Sequence, residues 1–307
     1  MDIFLQQLIN GLTLGAIYAL VALGYTMVYG ILGLINFAHG EVVMIGALTA
    51  LAVVKPLAAS GLPGPVVLLI GLLVAVLVCM ALGFTIERIA YRPLRNAPRL
   101  APLITAIGVS IVLQQLAMLI WGRNYHSVPA LLPAEGHEVF GATFTELQLI
   151  IVAVAGITMA GLMLLVNRTR LGRAMRATAE NPAIAGLMGV DANRIIALTF
   201  VIGSALAALA GVLVSANYGI AHYNMGFILG LKAFTAAVLG GIGNLAGAMV
   251  GGVLLGVIEA LGAGYIGDLT GGVLGSHYQD VFAFFVLITV LIFRPSGLMG
   301  EKVSERA

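Results

Sequence analysis

Long stretches without a single charged side chain dominate this sequence, and they leave few folds open. No Asp, Glu, Lys or Arg occurs from Ile3 to Ala38, and further uncharged runs cover 56–86, 100–122, 147–167, 195–231, 233–258 and 281–293. A helix that crosses a bilayer needs about 20 apolar residues. A soluble domain carries about 25% charged residues, whereas this 307-residue chain has 9%, with 61% hydrophobic. Such a chain cannot cover a water-facing surface, so it reads as an all-α integral membrane protein. The run 195–231 is too long for one passage. A span near 195–216 fits, followed by a polar loop from Asn217. Glycine breaks within 226–262 leave room for a re-entrant half-helix in place of a full span. The expectation is a polytopic bundle of about eight or nine transmembrane helices with one broken or re-entrant helix, and residues 1–307 forming a single transmembrane domain.

The few charges are placed unevenly, and that sets orientation. Of 15 Lys and Arg, four lie within 88–99 (Arg88, Arg92, Arg95, Arg99), five within 168–194 (Arg168, Arg170, Arg173, Arg176, Arg194) and three at the end (Arg294, Lys302, Arg306). Basic clusters mark cytoplasmic loops. Residues 123–146 set Arg123 against Glu135, Glu138 and Glu146 and read as external. Alternation then puts the N-terminus outside and the C-terminus inside.

The stretch GLINFAHGE, Gly33–Glu41, stands out because Asn36, His39 and Glu41 interrupt an apolar landscape. The 13 residues from Val42 to Val54 make only about 20 Å of helix, against a hydrocarbon core of about 30 Å. The next span must therefore draw in Asn36–Glu41, near its cytoplasmic end. Gly33 suits the position that ends the preceding helix, Asn36 suits the N-cap of the next, and Glu41 in the first turns is favoured by the helix dipole. Gly11/Gly15, Gly226/Gly230, Gly247/Gly251 and Gly252/Gly256 have GxxxG spacing, and Gly203, Ala207 and Gly211 form a small-residue stripe; both suit close helix packing. GLTLGAIYALVALG (11–24) loosely echoes GFILGLKAFTAAVLG (226–240), a weak hint of an internal repeat.

Most catalytic and nucleotide chemistry is excluded. The lysines are Lys55, Lys232 and Lys302, none after a glycine, so a GxxxxGK[ST] phosphate loop cannot exist. GGIGNLAG (240–247) has the wrong spacing for a dinucleotide site. His39 and Glu41 form HGE rather than HExxH, no GxSxG occurs, and no metal site is expected. His126, His137, His222 and His277 read as solvated loop residues, and Cys79 as a small buried hydrophobe. Glu41, Lys232 and Glu259 lie in apolar surroundings, where ionisable groups either carry function or pair and cap. Both readings stand for Glu41 and Lys232; pairing is preferred for Glu259, read as lying near a span end.

The polar loop 168–194 has more structure than a connector needs. A short basic helix is expected, then Asn181 as N-cap with Pro182 at the first helical position, a second short helix closed by Gly189, and Asp191 capping the next span. Two short helices there suit a docking element; a plain basic connector is the alternative.

GYTMVYGILGLINFAHGEVVMIGA (24–47), GRAMRATAENPAIAGLMGV (172–190), GLKAFTAAVLGGIGNLAGAMVGG (230–252) and RPSGLMG (294–300) resemble the permease subunit of high-affinity branched-chain amino acid ABC importers, the LivH-like branch, over nearly the whole chain. The resemblance implies a bacterial inner-membrane permease that moves leucine, isoleucine or valine inward. Its implied partners are a second, related permease, two cytoplasmic ATPase subunits that bind the ATP, and a periplasmic binding protein. Membrane lipid surrounds it, no nucleic acid is involved, and this chain itself holds no cofactor and is no enzyme. On that resemblance, Gly172, Arg173, Arg176, Glu180, Asn181, Pro182 and Gly189 fall in the ATPase-coupling loop. Asn36, His39, Glu41, Lys232 and Phe234 would border the translocation path, with Gly33, Gly40, Gly240, Gly241 and Gly243 serving helix breaks and packing. A stand-alone ion-coupled carrier using Glu41 and Lys232 is the alternative, and it would not need a docking loop. An intramembrane enzyme built on His39 and Glu41 has no nucleophile or ligand set to support it.

Overall fold

A computed structural model describes residues 2–300 apart from 96, 99, 133–134, 140 and 272–277. Arg99, His277, Lys302 and Arg306, and the Asp268 side chain, lie outside the described residues. The chain is helical over most of its described length: α1 (Asp2–Leu32), α2 (His39–Ala58), α3 (Gly64–Ile86), α4 (Leu100–Trp121), α5 (Glu146–Arg168), α6 (Arg170–Glu180), α7 (Pro182–Leu187), α8 (Ala192–Tyr218), α9 (Met225–Gly240), α10 (Leu245–Leu269) and α11 (Gln279–Phe293). Among the described residues, seven helices (α1–α5, α8 and α10) are long and apolar enough to cross a membrane, and α9 and α11 supply shorter apolar helices. This is an all-α polytopic membrane protein.

The glycine break allowed within 226–262 falls at 241–244: α9 stops at Gly240 and α10 starts at Leu245, because Gly241 (φ +108°) and Gly243 (φ +97°) adopt a backbone that only glycine enters without strain. Other features differ locally from the sequence reading. α8 runs past Asn217 to Tyr218 and ends on Gly219 at φ +68°. Short strands also occur where only loops were expected: β1 (His126–Ser127), β2 (Gly136–Val139), β3 (Ala142–Thr145) and β4 (Ile220–Ala221), with β2 and β3 forming an antiparallel hairpin and β1 pairing with β4.

The chain divides into two compact units, and α1, α5 and α9 each contribute to both. The first comprises 1–26, 134–159 and 232–307. Its framework is a small-residue contact between α1 and α10. A Cβ on Gly11 would come within 2.7 Å of the Val257 Cα, one on Gly15 within 2.7 Å of the Val253 Cα, and one on Gly252 within 2.5 Å of the Ala19 Cα. The GxxxG pairs of the two helices therefore face each other. In a lipid solvent such close backbone approach is what holds helices together, since apolar burial gives no net drive.

The second unit comprises 27–133 and 160–231. Here α2, α3 and α8 pack on one another. Gly46 lies where a Cβ would meet the Ala208 Cα at 2.7 Å, and Gly211 abuts the Val43 carbonyl. Gly83 of α3 leaves room for Ser204 of α8, and the Cys79 thiol, fully buried, lies 3.5 Å from the Val42 carbonyl oxygen. α3 does not end cleanly. A π-turn (Glu87–Tyr91) followed by a 3₁₀ turn (Arg92–Leu94) continues it, and the extra residue per turn sets both Glu87 and Tyr91 inward.

Candidate functional site

The polar stretch between α1 and α2 lies in the second unit. Gly33 adopts φ +63° with its N–H on the Tyr29 carbonyl at 2.7 Å, so it terminates α1 as expected. Asn36 does not cap α2. The helix begins at His39 behind Ala38, which offers no side-chain acceptor. The Asn36 carboxamide oxygen instead accepts the Tyr91 hydroxyl at 3.0 Å, and the residue is buried. A tertiary partner from the π-turn has outcompeted the local cap. Tyr91→Phe should therefore leave a buried acceptor unsatisfied and cost about 1–3 kcal/mol of stability, read as a lower Tm of the purified protein.

α2 gains its length from both sides of the short apolar run, taking in His39 to Glu41 before it and Lys55 to Ala58 after it. His39 and Glu41 are buried. The Glu41 carboxylate accepts the Ser110 hydroxyl of α4 at 3.2 Å through Oε1, while Oε2 has no hydrogen-bond partner among the described residues. Oε2 rests on Gly226 of α9, where a Cβ would stand 2.6 Å away. Gly40 is equally constrained: its Cβ would meet the Gly226 carbonyl and lie 2.7 Å from the Gly230 Cα. The GxxxG pair of α9 thus makes the space into which the start of α2 fits.

Lys232 and Phe234 belong to the first unit. Lys232 Nζ pairs with Glu259 Oε1 of α10 at 2.6 Å and with Asp280 Oδ1 of α11 at 2.7 Å. The Tyr18 hydroxyl of α1 donates to Glu259 Oε2 at 3.0 Å, and its ring lies 5.8 Å from Nζ. Four helices meet in this network. The pairing reading of Glu259 holds, but it sits in the middle of α10 rather than near an end. Phe234 packs edge-on to Tyr25 at 6.2 Å.

Gly240 lies against Gly247, and the turn 241–244 between α9 and α10 is closed by the tail. The Leu298 and Met299 amides donate to the carbonyls of Leu239 and Gly240, both at 2.9 Å. Asn244 caps α10 through Gly247 N (3.0 Å) while its amide donates to the Met299 carbonyl (2.8 Å). Two separated motifs of the sequence, 230–252 and 294–300, are one structural element.

The 168–194 loop follows its cap grammar. Thr169 accepts from Gly172 N (3.1 Å), Asn181 from Ala183 N and Ile184 N (3.0 and 3.1 Å), and Asp191 from Asn193 N and Arg194 N (2.9 and 3.2 Å). Pro182 opens α7. Gly189, at φ +84°, closes it with the paired Gly189-to-Gly186 and Val190-to-Ala185 bonds of a Schellman turn. Gly172 is required by the close approach of the Val166 carbonyl, to which Arg176 also donates. Arg173 and Glu180 stand exposed. The feature not read from sequence is apolar: Ile184, Leu187 and Met188 are 59, 87 and 80% exposed at the tip. Their i, i+3, i+4 spacing was the available signal.

Glu87 was also missed. It is fully buried and held by Arg92 (2.8 Å) and Arg95, while Arg95 reaches Asn193 at the start of α8. Nor are the loop histidines simply solvated. His222 stacks on Tyr125 at 4.2 Å, the His126 ring lies 2.8 Å from the Trp121 carbonyl, and His137 sits 3.4 Å from Glu146. Among the described residues no cluster of His, Cys, Asp and Glu could hold a metal ion.

A family model described as branched-chain amino acid transport system / permease component matches residues 7–291. The chain belongs to this permease family. The high-affinity branched-chain amino acid transport system permease protein BraD of Pseudomonas aeruginosa is 51% identical, over 99% of this chain and 98% of its own length. LivH of Escherichia coli K12 is 46% identical, over 99% and 97%. A probable LivH of Methanocaldococcus jannaschii is 28% identical, over 92% and 88%. No solved structure matches the permease.

Proposed function

We propose that this chain is the transmembrane permease subunit of an ABC importer that carries leucine, isoleucine or valine inward across the bacterial inner membrane. Full-length identity of about half with a permease of a high-affinity branched-chain amino acid system carries this reading. Separate cytoplasmic ATPase subunits bind the ATP, this chain holds no cofactor, and a second permease and a periplasmic binding protein complete the assembly. The whole chain acts as one domain with its C-terminus in the cytoplasm. α9, 16 residues long and thus about 24 Å, serves as the short or re-entrant element. The candidates for the path are Asn36, His39 and Glu41 in one unit, and Lys232 and Phe234 in the other. Reconstitution with the ATPases and binding protein should give ATP-dependent leucine uptake, whereas uptake by this chain alone on an ion gradient overturns the proposal. Glu41→Gln and His39→Ala should reduce uptake at unchanged membrane abundance; normal uptake in both makes the break purely structural.

The loop 168–194 docks on an ATPase subunit, with α7 inserting its apolar tip. Support comes from the satisfied caps on both short helices and on the span that follows, and from the exposure of Leu187 and Met188, which solvent alone would not favour. Leu187→Asp with Met188→Asp should leave the permease folded but cut uptake at least tenfold and lower the recovery of ATPase in pull-down. Arg173→Ala and Glu180→Ala test the polar rim; wild-type uptake in all three variants sinks the docking assignment.

A further inference from the structure

We propose that the cleft between the end of α3 and the start of α8 is a binding site for an anionic phospholipid, with its phosphate between Arg92 and Arg194. The cleft has a volume of about 370 Å³ and is lined by the polar side chains of Arg92, Asn193 and Arg194 together with the apolar ones of Phe84, Leu198 and Val201. Asp191 also borders it, but that carboxylate accepts the Asn193 and Arg194 amides and is committed to the helix start. Arg92 spends part of its fork on Glu87 and remains partly exposed, and Arg194 is exposed with no ion pair among the described residues. Arg92, Arg95 and Arg194 face Glu87 and Asp191, an excess of one positive charge that a phosphodiester neutralises. The apolar lining continues along the helix: Leu73, Leu77 and Phe84 are exposed along one face of α3, which buries little of its length. A site with cations at one end and an exposed apolar helix face at the other fits an amphiphile with a single anionic head, and a soluble anion would leave the apolar wall uncovered. Basic recesses at helix ends near the membrane surface recognise lipid heads through this combination. The site needs only that the chain is membrane-embedded and does not rest on the identity of the transported solute.

The test uses the transporter purified with its partner subunits, in detergent, and reads Tm against added dioleoyl phosphatidylglycerol, dioleoyl phosphatidylcholine or inorganic phosphate. Phosphatidylglycerol should raise Tm in a saturable manner, phosphatidylcholine and phosphate should not, and Arg194→Ala should weaken the apparent affinity roughly fivefold. Arg194→Glu should weaken it further, read as the lipid-induced shift from that variant's own lipid-free Tm. Leu198→Gln, at the apolar wall, should reduce the phosphatidylglycerol effect as well. Equal stabilisation of wild type and Arg194→Glu overturns the proposal, as does an equal effect of phosphatidylcholine or of phosphate alone. Leu198→Cys cross-linking to an ATPase subunit in the assembled transporter would overturn it too, by showing that protein fills the cleft.

Discussion

Lys232→Ala is expected to destabilise the permease by about 3–5 kcal/mol and to empty the membrane of folded protein. The side chains of Lys232 and Glu259 are only 12% and 2% exposed. Removing the ammonium leaves the Glu259 carboxylate in an apolar interior with only the Tyr18 hydroxyl to stabilise it, and an uncompensated buried charge is far more costly than a lost surface pair. Asp280, 39% exposed, is less enclosed than Glu259. The cure follows from the same argument. Lys232→Met combined with Glu259→Leu removes both charges and should recover most of the Tm. Uptake by the double variant then separates the roles, since restored stability with lost transport means that the network takes part in moving substrate. A single Lys232→Ala variant as stable as wild type would show that the pair is not desolvated.

Gly226→Ala should be the second severe change. Its methyl would lie 2.6 Å from both Glu41 Oε2 and the Gly40 carbonyl oxygen. Neither can give way cheaply, because one is a buried carboxyl held by Ser110 and the other is helix backbone. Overpacking of a tight contact costs about 1–3 kcal/mol, and separating α9 from α2 also disturbs the polar break, so uptake should fall more than stability. Gly108→Ala and Gly161→Ala provide the contrast: both glycines lie within helices with open space where the Cβ would go. These should be neutral or gain about 0.5–1 kcal/mol from helix propensity. Equal Tm and uptake for Gly226→Ala and Gly108→Ala would mean that the α2–α9 contact is looser than described.

What the sequence reveals and what it hides divide along a physical line. Features set by neighbours in the chain were legible. Gly33, Asn181, Gly189 and Asp191 act as the stops and caps their residue types demand, and the short run after Glu41 had to recruit polar residues because helix rise per residue is fixed. Features set by distant contacts were not. Asn36 has good cap chemistry, yet Tyr91, 55 positions away in sequence, takes its carboxamide. Tyr18 and Asp280 carry no local mark of their shared partner Lys232. Glu87 looks like one more charge at a loop until the π-turn is seen to draw it inward between two arginines. The GxxxG spacings announced close packing, but only the fold says that α1 meets α10 and that the first turn of α2 meets α9.

The closure of α9 by Leu298 and Met299 has a consequence for biogenesis. The carbonyls of Leu239 and Gly240 are made by the ribosome well before the amides that will satisfy them. Until the tail emerges, a helix end in or near the bilayer carries unmet acceptors, a condition lipid cannot relieve. A nascent chain interrupted before residue 298 would therefore be marked by a local defect at a turn already inserted, even with its apolar helices complete. Proteolytic surveillance of membrane proteins can then discriminate, at that turn, copies that carry Leu298 and Met299 from copies that lack them.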